Sequence, residues 1–249
     1  MSAVVAAGRR ALPRGYADFA RQLAIWFGFY VVYQMARGYA DRDVARAFEN
    51  GREVIDLERR AGTLWELSLQ GVLTSSELLI RAASWTYWLS QFAVLGLALL
   101  WVYLRRNESF LRFRNTVLLA NVIGLVGYVL LPTAPPRMFP DVGFVDTLAV
   151  FSSLNHNSAV VEFTANPYAA MPSLHAADAL IVGVAMALIV RRLPFKLLWL
   201  AWPVWVSFAV MATANHFWLD IAAGILVAAV AGAVVLQRPL RRRLARVQS

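Results

Sequence analysis

"AAMPSLHAADALIVGVAMALIV", residues 169–190, and "ATANHFWLDIAAGILVAAVAGAVVL", residues 212–236, decide the fold. Each contains an apolar run of about 17–25 residues, the length that carries a helix across the hydrocarbon core of a bilayer. Each also places a histidine at the edge of that run, and the chain has only three histidines. The second adds Asp220 four residues after His216. Ionisable groups in such segments are costly to bury and mark function by default.

Working outward, the same criterion finds further runs and gives six expected spans: 19–36, 83–104, 116–131, 172–190, 197–214 and 218–236. The first is the weakest, with Arg21, Gln22 and Gln34 near its ends. It is read as an uncleaved span, because it is too long for the apolar region of a signal peptide and no small-residue cleavage site follows it. Composition agrees: 59% of the residues are hydrophobic, against about 45–50% in soluble domains. The expected class is an all-α integral membrane protein, with residues 1–249 forming one membrane-embedded catalytic domain and 1–18 and 237–249 as basic tails. The chain contains no cysteine, which excludes disulfides and thiolate metal sites.

The net charge of +9 would suit nucleic acid, but the placement of the cations argues against it. Sixteen of the 24 basic residues fall in the N-terminal tail, the loops after spans two and four, and the C-terminal tail. A six-span path puts all four segments on one side, which the positive-inside rule makes cytoplasmic. The charge is then a topology signal, nucleic acid is not expected as a partner, and both termini are cytoplasmic in a multi-pass cell-membrane protein. The near-exclusive use of arginine over lysine points to a GC-rich bacterial genome. Residues 37–81 fall on the opposite side, and "DRDVARAFENGREVIDLERRAG" has the spacing of an amphipathic surface helix, with Val44, Ala47, Phe48, Val54, Ile55 and Leu57 as its apolar positions.

Three motifs land on that extracytoplasmic face, although none was used to build the topology. In "NHFWLD", His216 and Asp220 share a helix face, so a carboxylate would fix the tautomer of the ring and leave its other nitrogen free to attack. In "MPSLH", Pro172 suits a helix start, the first-turn amides and the dipole favour an anion, Ser173 adds a hydroxyl, and His175 is placed to protonate a leaving oxygen. In "LPTAPPRMFP", a proline-stiffened loop carries Arg137, whose fork matches phosphate oxygens. His156, in "SLNHNS", reads as a loop residue, with a second phosphate contact as the alternative. Asn166, Tyr168 and Asp178 lie nearby in sequence without an assigned role. Together the three motifs supply what phosphoryl transfer through a covalent phosphohistidine needs. Two histidines and an aspartate also make a possible zinc set, but Arg137 and the helix dipole would oppose a cation, so neither metal nor cofactor is expected.

The order and type of these motifs resemble the type 2 phosphatidic acid phosphatase superfamily, with its vanadium haloperoxidase-like helical core, over about residues 57–224. The resemblance implies Arg137 and Ser173 as substrate phosphate ligands, His175 as general acid, His216 as nucleophile and Asp220 as its partner. "DLERRAGTLWELSLQ", "PTAPPR" and "PSLHA" further resemble the branch that includes inositol-phosphorylceramide synthases. Two positions depart from the phosphatase pattern: Leu174 stands for a glycine, and Val210 for an arginine six residues before the third-motif histidine. The function expected is a metal-independent lipid phosphatase or phosphotransferase. It would take a lipid phosphate from the bilayer and pass the phosphoryl-bearing group to water or to an alcohol such as inositol. The reading from another class is a non-enzymatic lipid-binding or transport protein on the same fold.

Overall fold

The computed structural model describes residues 12–40, 43–151 and 168–247. Among the described residues the regular structure is helical: α1 Gly15–Ala40, α2 Val44–Ala61, α3 Glu66–Thr74, α4 Glu77–Arg105, α5 Asn107–Leu130, a short α6 Thr147–Phe151, α7 Leu174–Ile189, α8 Leu193–Ala212 and α9 Trp218–Val247. His156 and Asn166 lie outside the described residues.

Among the described residues, four helices are long and apolar enough to cross a membrane: α4, α5, α8 and, in α9, Trp218–Gln237. Their outward side chains are apolar, with Leu97, Leu130, Val204 and Leu226 all largely exposed. Large aliphatic side chains stand outward in such numbers where the surrounding medium is lipid rather than water. The expected run 19–36 falls inside α1, whose Leu23, Phe27, Val31 and Met35 form an exposed stripe at four-residue spacing. The run 172–190 corresponds to α7, which has only 16 residues. Ten of those residues are buried, because α7 stands in the middle of the bundle against α5, α8 and α9.

Close approach around α7 depends on small residues. A methyl on Gly124 of α5 would strike Leu174, and one on Gly183 would strike the Trp199 carbonyl and Pro203 of α8. At Gly224 of α9 it would collide with the Ser173 carbonyl, so α9 can lie flush against the start of α7 only with glycine there.

Helix α2 forms where the amphipathic pattern predicts a helix. Asp43 caps its start by accepting from the Arg46 amide at 3.0 Å, and Gly62, at φ 69°, closes its end. Its buried face differs from the expected apolar one: Ala47, Gly51, Ile55 and Glu58 point inward, whereas Val44 and Leu57 are exposed. The inner face is small because it rests on protein. The Ala134 amide donates to the Ala47 carbonyl at 2.9 Å, Asn50 donates to the Pro132 carbonyl at 2.7 Å, and Phe139 fills the space over Gly51. Helix α2 therefore clamps the proline-rich loop that follows α5.

Candidate active site

The C-terminal ends of α5 and α8 and the N-terminal ends of α7 and α9 converge at one end of the bundle, and the three motifs meet there. A single parallel bridge, Thr133 to Ala169, ties the "PTAPPR" loop to the segment leading into α7. The Arg137 amide donates to the Ala214 carbonyl at 2.8 Å, which ties the same loop to the turn before His216. In that turn Ala214 adopts φ 56°, a left-handed conformation that non-glycine residues rarely hold, and the Val210 carbonyl accepts from both the Asn215 and His216 amides.

His216 is fixed through one nitrogen. Nδ1 lies 2.9 Å from the Ala170 carbonyl and 3.3 Å from Asp220 Oδ2. A carbonyl only accepts, so Nδ1 carries the proton and Nε2 presents a lone pair. Nε2 faces His175 Nδ1 at 3.4 Å. His175 in turn stacks on Tyr87 of α4, with ring centroids 4.7 Å apart and planes at 20°. Asp220 Oδ2 also accepts from the Phe217 amide at 2.8 Å, so the carboxylate both orients the ring and caps α9.

Arg137 is almost wholly buried. Its Nη1 donates to Asn215 Oδ1 at 2.7 Å and its Nε stands 3.8 Å from Asp146 Oδ2, while Nη2 carries no hydrogen bond among the described residues. Burial draws the guanidinium below its usual range, and the nearby Asp146 opposes that shift. Ser173 is buried and serves as the N-cap of α7, its Oγ accepting from the Ala176 amide at 3.3 Å. Pro172 therefore precedes the cap rather than opening the helix, and it packs against Gly127.

The histidines and Arg137 open into a cavity of about 540 Å³. It runs down between α1 and α4 to Tyr103, lined by aromatic side chains such as Trp26, Tyr30 and Trp88. From Tyr87 to Tyr103 along α4 is about 24 Å at 1.5 Å per residue. The slot is polar at the end where the histidines and Arg137 stand and mostly aromatic and aliphatic beyond it, with Gln22, Gln91 and Asn121 also in its lining. Ser173 and Asp220 lie behind the cavity wall, and Asp178 and Asn215 are on it.

A buried acidic group supports the site from behind. Glu66 Oε1 accepts from the Trp218 amide at 2.6 Å and Glu58 Oε1 from the Leu219 amide at 3.2 Å. With Asp220 on the Phe217 amide, three carboxyls satisfy three successive open amides at the start of α9. Burial, and then the neighbouring Glu66, push Glu58 up to about 9, and burial also raises Glu66. The folded protein thus holds a proton that the unfolded chain, with an ordinary value of 4.5, releases. Stability conferred by that proton is full below pH 4.5 and is lost as pH rises towards 9. The melting midpoint of the protein in detergent should fall across this window. Glu58→Gln, which keeps an acceptor for the Leu219 amide, should flatten the fall, and an equally steep decline in that variant would remove Glu58 as its source.

Sequence reasoning missed several members of the site. Asn215, which holds Arg137, was legible only as the neighbour of His216. Tyr87, the Ala170 carbonyl, and the pairing of Glu58 and Glu66 with α9 carry no local signal. Val210, where an arginine would extend the phosphate site, is fully buried beside Ala176, Ala179, Val206 and Ile221, which leaves no room for a cation.

Comparison with known proteins identifies a family. The family model described as the PAP2 superfamily matches residues 52–234, from the middle of α2 into α9, and so takes in Arg137, both histidines and Asp220. No curated protein and no solved structure matches the chain. With most of its length matched, and with both histidines and Arg137 gathered on one cavity, the chain belongs to the PAP2 superfamily, a group of phosphatases and related phosphoesterases.

Proposed function

We propose that the chain is a six-span membrane enzyme that cleaves a lipid phosphoester at its extracytoplasmic face through a phosphohistidine on His216. The observation that carries the proposal is the fixed tautomer: the Ala170 carbonyl and Asp220 hold Nδ1, and Nε2 is left facing His175 and the cavity. The phosphate enters beside the two rings and parts them. The Nε2 lone pair attacks phosphorus, the N–P bond forms, and the bond to the leaving alcohol oxygen breaks as His175 protonates that oxygen. Ala170 and Asp220 stabilise the positive ring that results. Arg137 and the N-terminus of α7, capped by Ser173, balance charge on the equatorial oxygens. Water or an alcohol then attacks phosphorus, giving its proton to His175 as the N–P bond breaks. Water yields a phosphatase and an alcohol such as inositol a transferase, as in the inositol-phosphorylceramide synthase branch.

The test is a screen of purified protein in detergent against lipid phosphates, with and without inositol and other alcohols, reading both free phosphate and new lipid. Release of phosphate, or appearance of a phosphodiester lipid, is the expected result. Binding of every lipid with neither product would support the lipid-binding or transport reading instead.

The proposed orientation rests on the fifteen arginines and one lysine grouped on one side. Because the native chain has no cysteine, single replacements report without background. Asp56→Cys, exposed on α2, should react with a membrane-impermeant maleimide on intact cells. Glu108→Cys, exposed at the start of α5, should react only after permeabilisation. The reverse labelling would overturn the orientation.

A further inference from the structure

We infer that Asp178 is a binding station for a hydroxyl of the lipid, set one helical turn from the phosphate. The inference rests on the phosphoesterase reading of the histidines but uses residues outside that chemistry. Asp178 is 2% exposed and sits on the cavity wall. It follows His175 by three residues on α7, so both side chains lie on one face, separated along the axis by about 4.5 Å. Asn121 of α5 donates to Asp178 Oδ1 at 2.8 Å and to the Val117 carbonyl at 3.0 Å. Asp178 Oδ2 has no hydrogen-bond partner among the described residues. Gln91 is the other hydrogen-bonding side chain beside the carboxyl group.

The surroundings sharpen the point. Besides Asn121 and Gln91, the cavity lining includes Tyr87, Leu95 and Tyr128. Gln91 stands in a π-helical turn, Ser90–Val94, that interrupts α4 at this level. Such turns re-aim side chains and are frequent at functional sites. A carboxylate oxygen left without a donor in an apolar cavity is costly to keep, and a ligand that supplies the donor recovers that cost. The donor class that fits is a hydroxyl a few bonds from the phosphoester oxygen, on a long-chain alcohol phosphate whose chain continues down the aromatic slot. Asp178 is thus a specificity determinant and not part of the phosphoryl chemistry.

The test uses full-length protein in detergent and two probes: a single-chain acylglycerol 3-phosphate with a free 2-hydroxyl, and its 2-deoxy analogue. Binding is read by quenching of tryptophan fluorescence, since Trp26 and Trp88 line the slot, and turnover is read in the same samples. The hydroxyl probe should bind the native protein about tenfold more tightly. Asp178→Ala should abolish that preference by weakening binding of the hydroxyl probe about tenfold more than binding of the deoxy probe, whereas a purely structural role for Asp178 would weaken both alike. Should the alanine variant not fold, Asp178→Asn, which keeps the shape and removes the charge, should still cut the preference by about threefold or more. Equal binding of the two probes by the native protein, no binding of either, or a preference unchanged in Asp178→Asn would each overturn the inference. Binding with the expected preference but without turnover would leave Asp178 standing and remove the phosphoesterase reading instead.

Discussion

His216→Ala is expected to cut turnover of a lipid phosphate by at least about a thousandfold, the scale of losing a covalent nucleophile. The argument is geometric. Nδ1 is committed to the Ala170 carbonyl and Asp220, so the lone pair must sit on Nε2, which faces the cavity. His175 cannot stand in, because its ring is stacked on Tyr87 and its Nδ1 is directed at the position the nucleophile would have left. The substitution also strips a partner from Asp220, whose Oδ1 is already without one among the described residues, so some loss of stability is expected. Imidazole added to the variant separates the two effects, since it refills the vacated space and should restore measurable turnover only if the missing ring was the nucleophile. Native protein quenched during turnover should carry a phosphoryl group that is labile in acid and stable in base. Activity of His216→Ala within about tenfold of native would sink the assignment. His175→Ala should spare substrates whose leaving groups need little protonation, such as p-nitrophenyl phosphate, more than alkyl phosphates.

How much of this was written in the sequence differs from element to element. The four helices long and apolar enough to span were legible because lipid demands apolar side chains over a fixed length. Their beginnings were not: α4 starts at Glu77 and α5 at Asn107, well before their apolar stretches, because polar first turns are still helical when their amides are capped or exposed. Helix α3 was missed, being nine residues without a strong period. In the site, the residues that carry local chemistry stood out, since histidine, aspartate and arginine beside apolar runs are rare and expensive. The residues that hold them did not. Glu66 reaches Trp218 across 152 positions, and Glu58 reaches Leu219 across 161. In the sequence, Glu58 is indistinguishable from the solvated acids around it on α2. Only the packing of α2 under the proline-rich loop brings it to the start of α9.

Arg137→Ala is expected to raise the barrier by about 2–4 kcal/mol, the scale for one preorganised donor to a developing oxyanion, which is about 30- to 1,000-fold in rate. The side chain is preorganised in a physical sense: it is buried, Asn215 holds Nη1 at 2.7 Å, Asp146 stands by Nε, and Nη2 is left without a bond among the described residues. Little reorganisation is then needed when phosphate arrives. Val210, where the resembled phosphatase pattern has an arginine, is packed among apolar side chains, so no cation there makes good the loss. Orthovanadate should inhibit the native enzyme, its trigonal-bipyramidal adduct on His216 Nε2 resembling phosphorus under attack, and Arg137→Ala should weaken that inhibition in parallel with the rate. Arg137→Lys should recover only part of either, since a point charge cannot replace the fork held by Asn215. If the charges of Arg137 and the N-terminus of α7 neutralise the equatorial oxygens, EDTA should leave the native rate unchanged. Loss of activity in EDTA with recovery on added magnesium or zinc would mean that the histidines serve a metal, and Arg137 would then have to be reassigned from phosphate ligand to a structural tie between the loop after α5 and the turn before His216.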